Sequence, residues 1–242
     1  MIKVANTLPD WIEKYASPGA TKVEGTLTDK NAFWFLLTAC CPLKFESYAI
    51  LLHPFWINWK EKERIESQPS TKEEIDSRDF KKLSWKDFFS HYGKSFDINS
   101  AYEVQEELRE KFAEGNKWPT HLWYPGSNIE YSDLAIIIKE LIEIYGDQLT
   151  NYYYFLTNTK VWSDGDIIYQ GYLSELEKLK EQVEIDDTPN AIYPNSEEWC
   201  IISDIDLPFT YIGGSSKLID NITSDPKHEI YKLTPKFNEV KH

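Results

Sequence analysis

An α+β fold, with a mainly antiparallel or mixed sheet packed against several amphipathic helices, follows from three observations. Stretches of 3.6-residue apolar periodicity alternate irregularly with short extended runs. One pair of those runs flanks Asp164-Gly165, a dipeptide suited to a hairpin turn. No regular strand–helix–strand repeat of the kind that builds a parallel sheet is present.

The elements can be read in chain order. Asn31 to Thr38 predicts a buried helix with Asp29 as its cap. Ser47 to Leu52 (SYAILL) predicts a core strand that stops at His53-Pro54, because proline cannot donate to a ladder. Lys60 to Lys82 carries seven acids and seven bases and predicts a solvated helix or a mobile excursion. Trp85 to Tyr92 is a short amphipathic helix. Ser100 and Glu103 form a capping-box pattern ahead of a helix to Ala113, with Val104, Leu108 and Phe112 on one face. Gly115 to Asn128 reads as a loop, although it holds Trp118, His121, Trp123 and Tyr124. These rings either pin the loop to the core, the favoured reading, or form an interaction patch.

Tyr131 to Tyr145 is the clearest helix: Leu134, Ile137, Ile138, Leu141 and Tyr145 recur at helical spacing and Gly146 ends it. Asn151 to Trp162 and Asp166 to Tyr172 predict a hairpin. Ser174 and Glu177 predict a second capping box, for a helix marked by Leu173, Leu176, Leu179 and Val183. Glu184 to Glu198 reads as an acidic connection. Trp199 to Leu207 (WCIISDIDL) reads as a strand, Gly213-Gly214 as a turn, Ser215 or Ser216 as the start of a helix through Ile222, and Glu229 to Leu233 as a last strand. A single globular domain over residues 1–242 is expected, with 1–129 and 130–242 as the alternative lobes.

Composition bounds the function class. Of 242 residues, 41% are apolar and 27% charged, which is the make-up of an ordinary folded chain rather than a disordered one. Nine Trp and fifteen Tyr provide large rings for a sizeable core. The first fifteen residues lack the apolar region of a secretory signal. The longest mostly apolar run, Ala32 to Leu43, is far short of the ~20 residues that span a bilayer. Cys40, Cys41 and Cys200 are odd in number and lack CxxC spacing, so the expectation is three reduced thiols, a cytoplasmic setting and no membrane partner.

The net charge of −14 is uneven. Residues 1–129 hold 19 acids and 17 bases, residues 130–206 hold 17 acids and 4 bases, and residues 207–242 hold 4 acids and 5 bases. A concentrated acidic field repels nucleic acid and steers a basic partner. The acids expected around the binding surface are Glu140, Glu143, Glu175, Glu184, Asp186, Asp187, Glu197 and Glu198. Only Lys139, Lys160, Lys178 and Lys180 lie in the same stretch to balance them.

Catalytic chemistry is poorly signalled. Asp204 and Asp206, two residues apart on a strand, would share a face and could hold a divalent cation, but no third ligand is recognisable. Gly213-Gly214-Ser215-Ser216 matches neither phosphate-binding glycine pattern. GxSxG and HExxH are absent, and His53, His91, His121, His228 and His242 have no paired spacing. The sequence therefore leans away from an enzyme, with no cofactor, metal or catalytic residue assigned. Its first expectation is an acidic interaction protein that sequesters a basic protein, in its sharpest form an immunity protein against a cationic toxin such as a nuclease. A metal-dependent hydrolase using Asp204 and Asp206, and a structural or assembly protein, are the alternatives.

Overall fold

The computed structural model describes residues 1–16, 33–67, 76–113, 119–126, 128–155, 159–160, 165–182, 184–185 and 187–234. They form two compact units: Met1–His53 together with Ser127–His242, and Pro54–Gly126. The first 53 residues thus group with the second half of the chain.

The larger unit is built on an eight-stranded sheet. In chain order its strands are β1 (Ile2–Val4), β2 (Ser47–Leu52), β6 (Leu149–Tyr154), β7 (Ile167–Tyr172), β8 (Ala191–Pro194), β9 (Cys200–Ser203), β10 (Phe209–Gly214) and β11 (Ile230–Leu233). Their spatial order is β1-β7-β6-β8-β9-β10-β2-β11, and every pairing is antiparallel. The fold class expected from the sequence is the one observed. β2 is buried at all six positions because both of its faces are covered.

One face of this sheet carries α6 (Tyr131–Tyr145), α7 (Ser216–Ile222) and a 3₁₀ helix, Leu173–Glu181. Leu134, Ile137, Ile138 and Leu141 of α6 are buried in one cluster with Leu51, Tyr152, Ile192, Ile201 and Ile212 of the sheet. Tyr145, predicted on the same stripe, is partly buried and donates its hydroxyl to Ser215 Oγ at 2.8 Å. The opposite face carries α1 (Asp10–Ala16) and α2 (Phe33–Cys40). Trp11 meets Tyr193 edge-on at 5.6 Å and Phe33 meets Phe209 edge-on at 5.0 Å. Asp29, the expected cap of α2, lies outside the described residues.

Several expectations need correction. Leu173, Leu176 and Leu179 repeat every third residue, which is the period of a 3₁₀ helix rather than an α-helix. The predicted Ser174–Glu177 box is not what caps it. Glu175 accepts the Tyr172 N–H at 3.0 Å, and Ser174 is bound by Asp147 instead. The expected connection 184–198 contains β8, a central strand whose four residues are all buried. Strands β6 and β7 do pair as a hairpin, but β6 ends at Tyr154, so the link is far longer than a two-residue turn; Asp164 lies outside the described residues.

Gly213-Gly214 is not a turn: both residues sit in β10, paired with Tyr48 and Ser47. Close approach calls for glycine at Gly213, where a Cβ would collide with the ring of Phe45; at Gly214 the nearest atom would be the Cδ2 end of the Leu218 side chain, 2.7 Å away. Phe45 is itself wedged edge-on against Trp11 and Tyr48. Gly213→Ala should therefore cost ~1–3 kcal/mol by overpacking in denaturant melts. Phe45→Leu should recover part of that loss in the double variant, and strict additivity would show that Phe45 is not the obstacle.

The smaller unit holds a three-stranded antiparallel sheet, β4 (Lys81–Leu83), β3 (Phe55–Ile57) and β5 (Leu122–Trp123), in that order, with α3 (Trp59–Ser67), α4 (Trp85–His91) and α5 (Ala101–Ala113). The predicted excursion 60–82 thus includes most of α3 and part of β4, and the predicted loop 115–128 contains β5. Ser84 caps α4, accepting the Asp87 N–H at 3.0 Å. Phe55 stacks on Phe88 at 3.7 Å, and Trp85, Phe88 and Phe89 are fully buried.

Candidate functional site

The acidic surface was the leading candidate. Sorted by compact unit, the imbalance sharpens: the larger unit has 26 acids and 14 bases, the smaller 14 acids and 12 bases. The fold disperses the seven described members of the eight predicted acids among different roles. Three are held by cations from elsewhere in the chain or the same helix. Glu175 lies 3.6 Å from the Met1 ammonium and 2.5 Å from Lys178, and the bonds it accepts from Lys178 and from the Tyr172 N–H pull its carboxyl down to about 2. Glu184 pairs with Lys3 at 3.2 Å and accepts the Tyr169 hydroxyl in a short bond; Glu197 pairs with Lys44.

The remaining acids differ. Glu140 accepts the Asn221 amide at 3.0 Å, Glu198 accepts the Gln148 amide at 3.0 Å, and Asp187 accepts the Asn128 amide and the Thr188 N–H. Glu143 is exposed and makes no hydrogen bond or ion pair among the described residues. Asp186 lies outside the described residues. The four nearby lysines were therefore too narrow a count, because Lys3, Lys44 and the amino terminus supply cations to this stretch from more than a hundred residues away. Amide donors satisfy a carboxylate's lone pairs without cancelling its charge. Glu140, Glu143 and Glu198 consequently keep the field that a basic partner would meet.

Asp204 and Asp206 do not share a strand face. β9 ends at Ser203, and the two aspartates lie in the turn to β10, where Asp204 Oδ1 accepts the Asp206 N–H at 2.8 Å. A tight side-chain-to-backbone turn is the ordinary habit of Asp in this setting. Asp206 is exposed, while burial raises the carboxyl of half-buried Asp204 and the nearby Asp206 charge adds to the rise. Among the described residues no group of three His, Cys, Asp or Glu side chains is placed to hold a metal ion. A folded pKa above the unfolded one means that ionised Asp204 costs stability at neutral pH, a cost relieved as pH falls through the raised value. Asp204→Asn keeps the acceptor and drops the charge, so it should raise the melting temperature at neutral pH. The two proteins should converge toward about pH 3, below the carboxylate range; an Asn variant less stable at pH 7 would show that the charge is useful where it stands.

The most site-like constellation is one that sequence spacing did not reveal. His53 Nε2 lies 2.8 Å from Thr210 Oγ1, which lies 2.6 Å from Ser203 Oγ. The three belong to neighbouring strands β2, β10 and β9, or to the residue just past them, and none is more than 3% exposed. The Ser203 N–H bonds to the Asn190 carbonyl. The Asn190 side chain accepts from Phe155 N–H and leaves its buried Nδ2 without a partner among the described residues. An imidazole beside a hydroxyl is a base beside a nucleophile in composition. Here its burial makes it a hydrogen-bonded chain inside the core, out of a substrate's reach.

The thiols are likewise internal. Cys40, Cys41 and Cys200 are free and buried, with Sγ of Cys41 and Cys200 3.8 Å apart, and burial pushes Cys40 up to about 12. Such thiols are poor nucleophiles at neutral pH. Of the aromatic loop, Tyr124 sits edge-on to Phe55 and pins it. Trp123 stacks on Phe80 at 3.8 Å yet stays 45% exposed; Trp118 lies outside the described residues. No helix among the described residues is long and apolar enough to cross a membrane. Set against family models, known proteins and solved structures, the chain matches none of them.

Proposed function

We propose that this chain is an acidic interaction protein that binds and sequesters a basic protein partner, and that an immunity protein against a cationic toxin such as a nuclease is its sharpest form. The observation that carries the reading is the net charge of −12 gathered on the larger unit, with Glu140, Glu143 and Glu198 left without cation partners among the described residues. A field of one sign speeds the encounter with the opposite sign and rejects polyanions. The burial of the thiols and of the His53–Thr210–Ser203 chain favours binding over catalysis.

The test is capture of the partner from the native host with the intact chain, followed by association kinetics at low and high salt. The captured protein should be basic. Glu143→Lys with Glu198→Lys should slow association more than it speeds dissociation, and the difference should shrink as salt screens the field. An acidic partner, or an on-rate indifferent to both salt and charge reversal, would reduce the acidic bias to a solubility feature.

A further inference from the structure

The larger unit has an open groove on its helical layer, about 250 Å³ in volume, between α6 and the 173–181 helix. Its floor is Ile138, Leu173 and Leu176, all buried, with half-buried Ile142 on one wall. Lys139 and Glu177 are its two charged lining residues. We propose that this groove docks an amphipathic helix of the partner, with an apolar stripe entering the groove and basic side chains on its flanks. The inference rests on the acidic-binder reading and places its site.

Two features on the page select this occupant. Aliphatic side chains between two helices form the ridges and trough into which a third helix packs, and a trough of this size takes the anchors of one apolar stripe. The charge at the groove selects the flanks. Glu143, one turn beyond Lys139 on α6, is exposed and unpaired among the described residues. Asp147, outside the lining itself, accepts the N–H and hydroxyl of the lining residue Ser174 at 2.9 and 2.7 Å, bonds that leave its charge uncancelled. Glu177 is paired with Lys180, whose ammonium also lies 4.5 Å from the Tyr131 ring centroid. Among the described residues Lys139 is the one cation lining the groove, and its four-carbon stem adds apolar contact while the ammonium stays in water. An acidic helix would bring carboxylates toward Glu143 and Asp147, with Lys139 to offset them and Lys180 already engaged by Glu177.

The probe is a synthetic helical peptide with leucines at every third and fourth position and lysines on both flanks. Two copies serve as controls, one with Ser for Leu at unchanged charge and one with Glu for Lys at unchanged stripe. Methyl NMR on the intact chain should show shifts at Ile138, Ile142, Leu173 and Leu176 with the Leu/Lys peptide. Its affinity should fall at least tenfold in Ala135→Trp, which fills the groove from an exposed position without touching the core, and several-fold in Glu143→Lys with Asp147→Lys. Both control peptides should bind at least tenfold more weakly. The groove assignment is overturned if the Ser copy binds as well as the Leu copy, if the shifts fall elsewhere, or if Ala135→Trp leaves affinity unchanged. It is also overturned if Ala135→Trp binds the captured basic partner normally while Glu143→Lys with Glu198→Lys does not, an outcome in which the acidic-binder reading itself survives.

Discussion

Replacing Leu141 by alanine is expected to lower the unfolding free energy by ~2–5 kcal/mol, close to half the stability of many domains. Leu141 is fully buried in the cluster where α6 meets the sheet, among Ile137, Ile138 and the helix-facing residues of β6, β8, β9 and β10. Truncation removes both the transfer energy of the lost methyl groups and the contacts of the cavity lining. Neighbours from so many elements cannot all collapse inward to refill that space. Guanidinium melts by circular dichroism should show a lower midpoint with an unchanged slope. An exposed control on the same helix, Glu143→Ala, should change the unfolding free energy by less than ~0.5 kcal/mol. A Leu141→Ala loss as small as the control's would mean that this face of α6 is not core.

The second large effect is expected at Trp199. This side chain is fully buried just ahead of β9 and donates its indole N–H to Gln148 Oε1 at 3.2 Å. Trp199→Ala should cost ~3–5 kcal/mol. Trp199→Phe separates the causes, since it keeps much of the apolar volume and removes the hydrogen bond. The bond alone should account for about 0.5–1.5 kcal/mol of that variant's loss, with the smaller ring adding a cavity term. Gln148 also donates to Glu198, so the tryptophan helps fix one of the carboxylates that keep their charge uncompensated. A Trp199→Phe protein as unstable as Trp199→Ala would point to shape rather than area as what the site demands.

Much of the fold was legible because it is written in local periodicity. The α6 span, its buried stripe and its glycine stop, the six residues of β2, the short helix from Trp85 and the serine start of α7, expected at Ser215 or Ser216, all depend on residues within a few positions of one another. Failures cluster where a neighbour distant in sequence decides. A Gly-Gly pair ahead of a serine is a turn by local preference, yet Phe45 crowds β10 so closely at Gly213 that glycine is what lets the strand pass. β8 was hidden in an acidic, proline-containing stretch, because its four buried residues are too few to show a period and acids crowd both sides. The extended run from Trp199 was legible, and Trp199 and Ile201 do enter the helix-side core, but nothing local showed that the strand stops before Asp204.

The site divides along the same line. Composition alone determined that the chain is strongly acidic, that the excess lies in residues 130–206, and that its core is rich in aromatic rings. Which carboxylates still carry an open charge was decided only by tertiary structure. The β1–β7 register sets Lys3 opposite Tyr169 and so beside Glu184, and packing carries Lys44 to Glu197 and the amino terminus to Glu175. The His53–Thr210–Ser203 chain likewise exists only because β2, β10 and β9 are neighbours, joining residues up to 157 positions apart. Total charge is a sum over residues and survives any arrangement of them, whereas pairing requires two groups within a few ångströms, a distance that only the folded chain sets.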